Sequence, residues 1–302
     1  MQRPAKPLTP VRFRIQPPLN IMKIGIIGYG FVGKALEAGF NDDVEIIKID
    51  PKLKTKIKDL KDFNPNAIFI CVPTPMGDDF SQDLNILKKV LLEIENLHLK
   101  SLIVLKSTVL PDRIQEIEKI FPNFVYNPEF LREDFAFEDF ISSKLIVFGG
   151  IKDSTTTLAT IYKNHSRCLC TDYVHTDAVA ASLIKYTINS FLATKVTFFN
   201  ELNSLFNKSG TSEKWRNFTE AISKDKRIGS SHMEVPGSDG RFGFGGACLP
   251  KDTNAFSIYA ENVDNKLNIL KTVISTNNNI RASYNTQTER ELEQNIKFKG
   301  DE

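Results

Sequence analysis

Residues 22–33 read MKIGIIGYGFVG, and this stretch decides the fold. Ile24, Ile26 and Ile27 form a β-branched apolar run with the texture of a buried parallel strand, taken here as Ile21–Gly28. It ends in Gly28-Tyr29-Gly30-Phe31-Val32-Gly33, a G-x-G-x-x-G pattern, and Val32–Gly39 continues as a helix stopped by Gly39. A strand feeding such a turn and then a helix permits a tight bend. It also lets a pyrophosphate approach the backbone at the helix N-terminus. Asp50 closes a second strand, Val44–Asp50, 22 residues after Gly28. A carboxylate there suits the adenosine ribose hydroxyls and repels a 2′-phosphate, which predicts NAD rather than NADP.

Outward from this unit, strands and helices alternate. Ala67–Val72, Leu102–Lys106, Phe124–Tyr126 and Leu145–Gly149 read as strands. Leu84–Asn96 shows helical spacing, and a helix opening at Pro111 places Ile114, Ile117 and Ile120 on one face. Such alternation predicts an α/β domain, a doubly wound parallel sheet with helices on both sides, over residues 22–175. The texture then changes. Asp177–Asn207 runs without Pro or Gly and keeps helical spacing from Ala181 to Phe206, which predicts a long central helix. A Gly-rich loop, Gly237–Gly246, and shorter helices from about Lys251 complete a small helical domain over 176–275. Residues 276–302 are polar and predict a frayed tail.

The first 21 residues hold five of the 14 prolines, four cations and no acid. They read as an extended, disordered extension upstream of Met22, with no apolar core of signal-peptide length. The remainder carries 35 basic against 37 acidic residues, which gives no reason to expect nucleic acid as a partner. In 302 residues with 41% hydrophobic and 25% charged side chains, no apolar run is long enough to span a membrane. Four dispersed cysteines suit a reducing cytoplasm, and the cysteines and four histidines show no metal-ligand spacing.

Three further segments carry chemistry. Asn127–Glu133 (NPEFLRE) follows a strand, and Lys185 and Asn189 share a face of the long helix. Cys248 stands in Gly243–Asp252 (GFGGACLPKD), a loop leading into a helix, where a thiol pKa is lowered and the sulfur can serve as a nucleophile. Read singly, Cys248 is a small packed residue, Lys185 and Asn189 a solvated face, and Glu129 a helix cap.

In this order the segments resemble the UDP-glucose/GDP-mannose dehydrogenase family. The matching stretches are KIGIIGYGFVG (23–33), CVPTP (71–75), KSTV (106–109), NPEFLRE (127–133), KYTINSFLATKVTFFNEL (185–202) and GFGGACLPKDT (243–253). The resemblance covers about residues 22–275 and points to the UDP-glucose 6-dehydrogenase or GDP-mannose branch. It implies NAD-dependent oxidation of a sugar C6 alcohol to a carboxylate in two steps, UDP-glucose being the expected substrate and GDP-mannose the alternative. By resemblance, Cys248 forms the thiohemiacetal and thioester, and Lys185 and Asn189 stabilise oxyanions. Glu129 is the acid–base group acting through water, and Asp252 with Thr108 holds that water. The cofactor set is Gly28, Tyr29, Gly30, Phe31, Val32, Gly33, Asp50, Val72, Pro73, Thr74, Ser107, Thr108, Glu133 and Lys251, with Glu133 on the nicotinamide side. The sugar nucleotide is expected against Glu129, Phe130, Leu131, Arg132, Glu133, Lys185, Asn189, Phe242, Gly243, Phe244 and Gly245. Arg227 is expected to reach it across a homodimer built on the long helix. Family chains continue into a second Rossmann-like domain that clamps the nucleotide diphosphate, and residues 276–302 are too short and polar to supply one. Two other readings share part of the pattern. A single-step β-hydroxyacid dehydrogenase has no use for Cys248 in its loop. A silent remnant, or half of a split enzyme, would bind NAD without turnover.

Overall fold

The computed structural model describes residues 21–300, so the expectation for the N-terminal arm lies outside the described residues but for Ile21. The first half follows strand with helix: β1 (Lys23–Ile27), α1 (Phe31–Gly39), β2 (Glu45–Ile49), α2 (Leu60–Phe63), β3 (Ala67–Ile70), α3 (Asn85–Glu95), β4 (Leu102–Leu105), α4 (Pro111–Ile120) and β5 (Phe124–Tyr126). Then come α5 (Ala136–Ile141), β6 (Val147–Gly149), α6 (Lys152–His165) and β7 (Val174–Thr176). The seven strands form one sheet in the order β2-β1-β3-β4-β5-β6-β7. All pairings are parallel except β5 with β6, which meet antiparallel at Tyr126 and Gly149. A uniformly parallel sheet was expected, and this one pair corrects it.

β3 shows why the sheet sits between two layers. Its four residues are fully buried, and their pleat sends Ile68 and Ile70 to one face and Ala67 and Phe69 to the other. The first face packs Leu87 and Leu91 of α3 and Ile114 and Ile117 of α4. The second packs Leu36 of α1 and Leu158 and Tyr162 of α6. The chain leaves β1 for β2 on one side and returns to β3 on the other. The crevice beyond the strand ends at that reversal is where open α/β sheets take ligands.

α7 (Ala178–Lys208) is 31 residues long, about 46 Å. Asp177 caps it, its Oδ1 accepting from Ala180 N at 2.8 Å. Ala178 and Ala181 join the core of the sheet, while Ala193 joins Phe244 and Val273 in a second cluster. One rigid rod thus ties both halves together. α8 (Trp215–Ser223) lays Trp215 and Phe218 against Phe206 of that rod. α9 (Leu249–Asn262) and α10 (Asn268–Arg281) pack beside it, and a short α11 (Glu289–Glu293) follows.

The expected frayed end is not what the structure shows. Arg281 and Glu291 form a buried ion pair at 2.6 Å, and Ile296 is 1% exposed. The polar composition served an internal salt-bridge network rather than solvation. Among the described residues no helix is long and apolar enough to cross a membrane.

Candidate active site

The dinucleotide end is built by the turn between β1 and α1. Gly28 takes φ +89°, and a Cβ there would stand 2.7 Å from Cys71 O, so only glycine closes this turn. A Cβ on Gly33 would stand 2.3 Å from Gly28 O, which is the close helix–strand packing the pattern requires. Gly30 faces open space, and no side chain caps α1, so its first amides are left for an incoming anion. Asp50 shapes the loop: Oδ2 accepts from Tyr29 N and Oδ1 from Lys52 N, each at 2.8 Å. The opposite wall is stitched by Ser107 Oγ donating to Val72 O at 2.7 Å and Thr74 Oγ1 donating to Thr108 O at 2.9 Å. These residues enclose a cavity of about 400 Å³. A glycine cradle at an uncapped helix end, with a carboxylate at the tip of β2, fits a dinucleotide.

Cys248, Lys251 and Glu129 line the same cavity. Cys248 occupies the cap position of α9. The lowered pKa expected there is not found. Burial pushes the thiol up to about 11, and the Glu129 and Asp252 carboxylates add to the rise. Lys251 and Lys185 pull the other way without prevailing.

Behind the sulfur lies a buried network. Lys185 Nζ donates to Glu129 O at 2.6 Å and to Glu129 Oε1 at 3.2 Å. Burial alone would lower the Lys185 pKa, but the carboxylates of Glu129 and Asp252 outweigh it and hold the value above that of an ordinary lysine. Glu129 Oε2 accepts from Leu131 N at 2.7 Å, and the Lys185 ammonium lies 5.3 Å from the Phe130 ring centre. Asp252 accepts from Asn189 Nδ2 at 2.6 Å and from Lys251 Nζ at 2.5 Å. Asn189 and Lys185 each keep N–H groups beyond these bonds, because an ammonium has three donors and an amide two.

The Gly-rich loop before Cys248 is pinned by main-chain bonds. Gly243 N donates to Asn200 Oδ1 at 2.9 Å, Phe244 N to Asn277 Oδ1 at 2.6 Å and Gly246 N to Glu291 Oε1 at 3.2 Å. A Cβ on Gly245 would lie 1.7 Å from Arg281 Nη2.

Other expected site residues stand apart. Arg227 pairs with Asp225 and its side chain is 89% exposed. Arg132 pairs with Asp139 on the surface, and Phe242 is half-exposed. Glu133 binds Arg290 at 2.8 Å rather than lining the cavity itself.

Several wall residues were not singled out from the sequence: Lys52, Cys71, Lys106, Arg290, Glu293 and Gln294. Lys106 heads the K-S-T-V stretch and could have been found. Its Nζ donates to Asn127 O and Oδ1, and burial brings it down to about 8. Arg290 had one signal, the T-x-x-E capping box of Thr288 and Glu291.

Comparison with known proteins agrees with this geometry. Residues 53–166 match the NAD binding domain of the UDP-glucose/GDP-mannose dehydrogenase family, and residues 179–279 match its central domain. A UDP-glucose 6-dehydrogenase of Rickettsia bellii is 40% identical over 225 residues, covering 71% of this chain and 49% of the relative. One of Campylobacter jejuni is 30% identical over 312 residues, covering 91% of this chain and 76% of the relative. The solved UDP-glucose dehydrogenase of Pyrobaculum islandicum superposes with a TM-score of 0.68 at 26% identity, over 87% of this chain and 69% of that one. The chain thus spans about half the length of the Rickettsia bellii relative and about three quarters of the Campylobacter jejuni one. On matched domains and shared fold alike, the chain belongs to the UDP-glucose/GDP-mannose dehydrogenase family.

Proposed function

We propose that the chain oxidises the C6 alcohol of a nucleotide sugar, UDP-glucose foremost, to the carboxylate, with NAD⁺ as oxidant. The observation that carries this reading is a single cavity lined both by the glycine cradle and by Cys248. NAD⁺, when bound, accepts the hydride that leaves C6 in each of two oxidations, so one turnover takes two NAD⁺.

The residues divide the remaining work. After the first oxidation the Cys248 sulfur bonds to the aldehyde carbon and gives up its proton, leaving a thiohemiacetal. Loss of hydride from that carbon and of the proton from its hydroxyl makes a thioester. Water then breaks the C–S bond, which releases the carboxylate and restores the thiol. Because burial keeps the thiol protonated at rest, a base must take its proton as the bond forms. In this reading Glu129 takes that proton and activates the hydrolytic water. The spare N–H groups of Lys185 and Asn189 stabilise the oxyanion at C6, and Asp252 orients Asn189. Phe130, Leu131, Arg132 and Glu133 and the loop Phe242–Gly245 are assigned to the sugar nucleotide. Exposed Arg227 serves a site only if a second subunit brings it there, so the reading includes a homodimer on α7. Four free cysteines suit a reducing cytoplasm.

The test is NADH absorbance with purified protein, NAD⁺ and, separately, UDP-glucose, UDP-galactose, GDP-mannose and UDP-N-acetylglucosamine. Two NADH per UDP-glucose is the expected result. No NADH with any of the four sinks the reading.

A further inference from the structure

Gln82 stands half-buried in the loop after β3 and spans the turn that leads from β4 into α4. Its Nε2 donates to Thr108 O at 2.7 Å, and its Oε1 accepts from Leu110 N at 3.3 Å. Nε2 also donates to the Tyr186 hydroxyl at 3.1 Å, on α7 one residue beyond Lys185. A carboxamide offers two N–H donors and one oxygen, so each polar face of this one is engaged. Turning the amide over would set an oxygen against Thr108 O and an N–H against Leu110 N. The three elements therefore fix its orientation, and it fixes them in return.

Other side chains hold the same turn. Thr74 Oγ1 donates to Thr108 O at 2.9 Å, Val109 N donates to the Tyr126 hydroxyl at 3.3 Å, and Ser182 Oγ donates to Val109 O at 2.7 Å. Gln82 differs from these in gripping the chain on both sides of Val109. Leu110 is the cap residue of α4 and supplies no side-chain bond of its own, so the glutamine sets how the chain enters that helix.

The residue that this clamp aims is Thr108. It lines the cavity with Cys248, Glu129 and Lys251, and it is 9% exposed. Its carbonyl is taken by Gln82 and Thr74, while its hydroxyl makes no hydrogen bond among the described residues. A hydroxyl that is free on a fixed backbone can hold a water at one place. The geometry points to Gln82 as a positioning residue for thioester hydrolysis: its amide locks the turn that sets the Thr108 hydroxyl against the attacking water. This rests on the proposed reaction, in which Thr108 and Asp252 hold that water. Gln82 lies outside the cavity wall and acts through Thr108. In the step concerned, water adds to the thioester carbon and one of its protons passes through Glu129 to the sulfur. The C–S bond breaks, giving the carboxylic acid and the thiol. Both hydride transfers come earlier, so a misplaced water strands the thioester without slowing them.

Rapid mixing of the full chain with UDP-glucose and NAD⁺, followed by acid quench and intact-mass spectrometry, reads both halves of the reaction. Q82A is expected to release its first two NADH per site at the unchanged rate. It is expected to hydrolyse roughly tenfold or more slowly and to accumulate the sugar-nucleotide adduct on Cys248. Q82M keeps the side-chain length without the amide and is expected to be as slow, which separates hydrogen bonding from packing. T108V is expected to build up the same adduct, and Q82A combined with T108V to lose nothing further, because both act on one water. Melting temperatures of all variants check that the fold persists. Four results overturn the assignment: hydrolysis at the unchanged rate in Q82A, recovery in Q82M, losses of Q82A and T108V that multiply when combined, or a slowed NADH burst with no adduct. If the unchanged chain makes no NADH with any of the four sugar nucleotides, the proposed reaction itself falls and Gln82 falls with it.

Discussion

In the proposed reaction Cys248 is the residue on which the chemistry turns, and its surroundings make it a reluctant thiolate. Its pKa, pushed up to about 11, leaves the sulfur almost wholly protonated near neutral pH. That state suits a group that must wait until an aldehyde exists. The carboxylate of Glu129 contributes to the rise, so removing its charge shifts the thiol toward ionisation. In the unchanged protein, alkylation by iodoacetamide is expected to accelerate with pH well beyond the ordinary cysteine range. In Glu129→Gln the same profile is expected to move to lower pH, read by mass spectrometry at fixed time. A profile that stays in place would show that Glu129 does not hold the thiol protonated. Cys248→Ala is expected to form no carboxylate, and Cys248→Ser to stop after the first oxidation or retain a covalent adduct. Near-normal carboxylate production by the alanine variant would return Cys248 to a packing role.

Elements differ in how openly the sequence announces them. β1, α1, β3, β4 and α7 were legible because one periodicity dominates each: continuous apolar runs for buried strands, and helical spacing for α7. α6 was not legible, because Ser154, Thr155, Thr156 and Thr157 blur its apolar face and only the fold shows Leu158, Ile161 and Tyr162 buried together. β7 is three residues long with two of them exposed, so no alternation could emerge. The glycine cradle, Asp50 and the Cys248 loop were all quoted from the sequence, since each depends on residue types at fixed spacing. The contribution of α11 was hidden because its partners are distant: Arg281 lies ten residues back, and Gly246 belongs to another loop. Removing the Glu291 charge tests that contribution. Its carboxyl, which burial alone would raise, is held below the ordinary glutamate value by Thr288 N and Arg281. A depressed folded value stabilises the fold above the unfolded pKa, and that stability drains as pH falls through the folded one. Glu291→Ala is expected to cost roughly 1–3 kcal/mol, because it takes one of two carboxylate partners from the buried Arg281 and leaves only Asp239. Glu291→Gln is expected to flatten the acid side of the stability curve measured by denaturant titration. An unchanged acid limb would mean that the pair contributes nothing to folding.

At the scale of the whole molecule, α7 presents two stripes with opposite fates. Lys185, Asn189 and Ala193 recur every four residues and are buried against the site and the second core. Phe191, Phe198 and Leu205 recur every seven and are 65%, 57% and 63% exposed. Large apolar side chains in such a row, along a rod about 46 Å long, suit a second copy of the chain lying against it. Arg227 gives that arrangement a functional test, since in the proposed dimer its exposed side chain is supplied to the partner's site. Phe198→Glu is expected to yield monomers by light scattering, with loss of sugar oxidation while NAD⁺ binding persists. Cys248→Ala and Arg227→Ala are each expected to be inactive alone. Refolded together, half of the dimers are mixed, and each mixed dimer has one site that joins an intact Cys248 to an intact Arg227. About a quarter of the unmutated rate should return in the mixture. Activity that stays at the level of the separate variants would confine Arg227 to its own subunit, and a monomeric unchanged chain would remove the interface altogether.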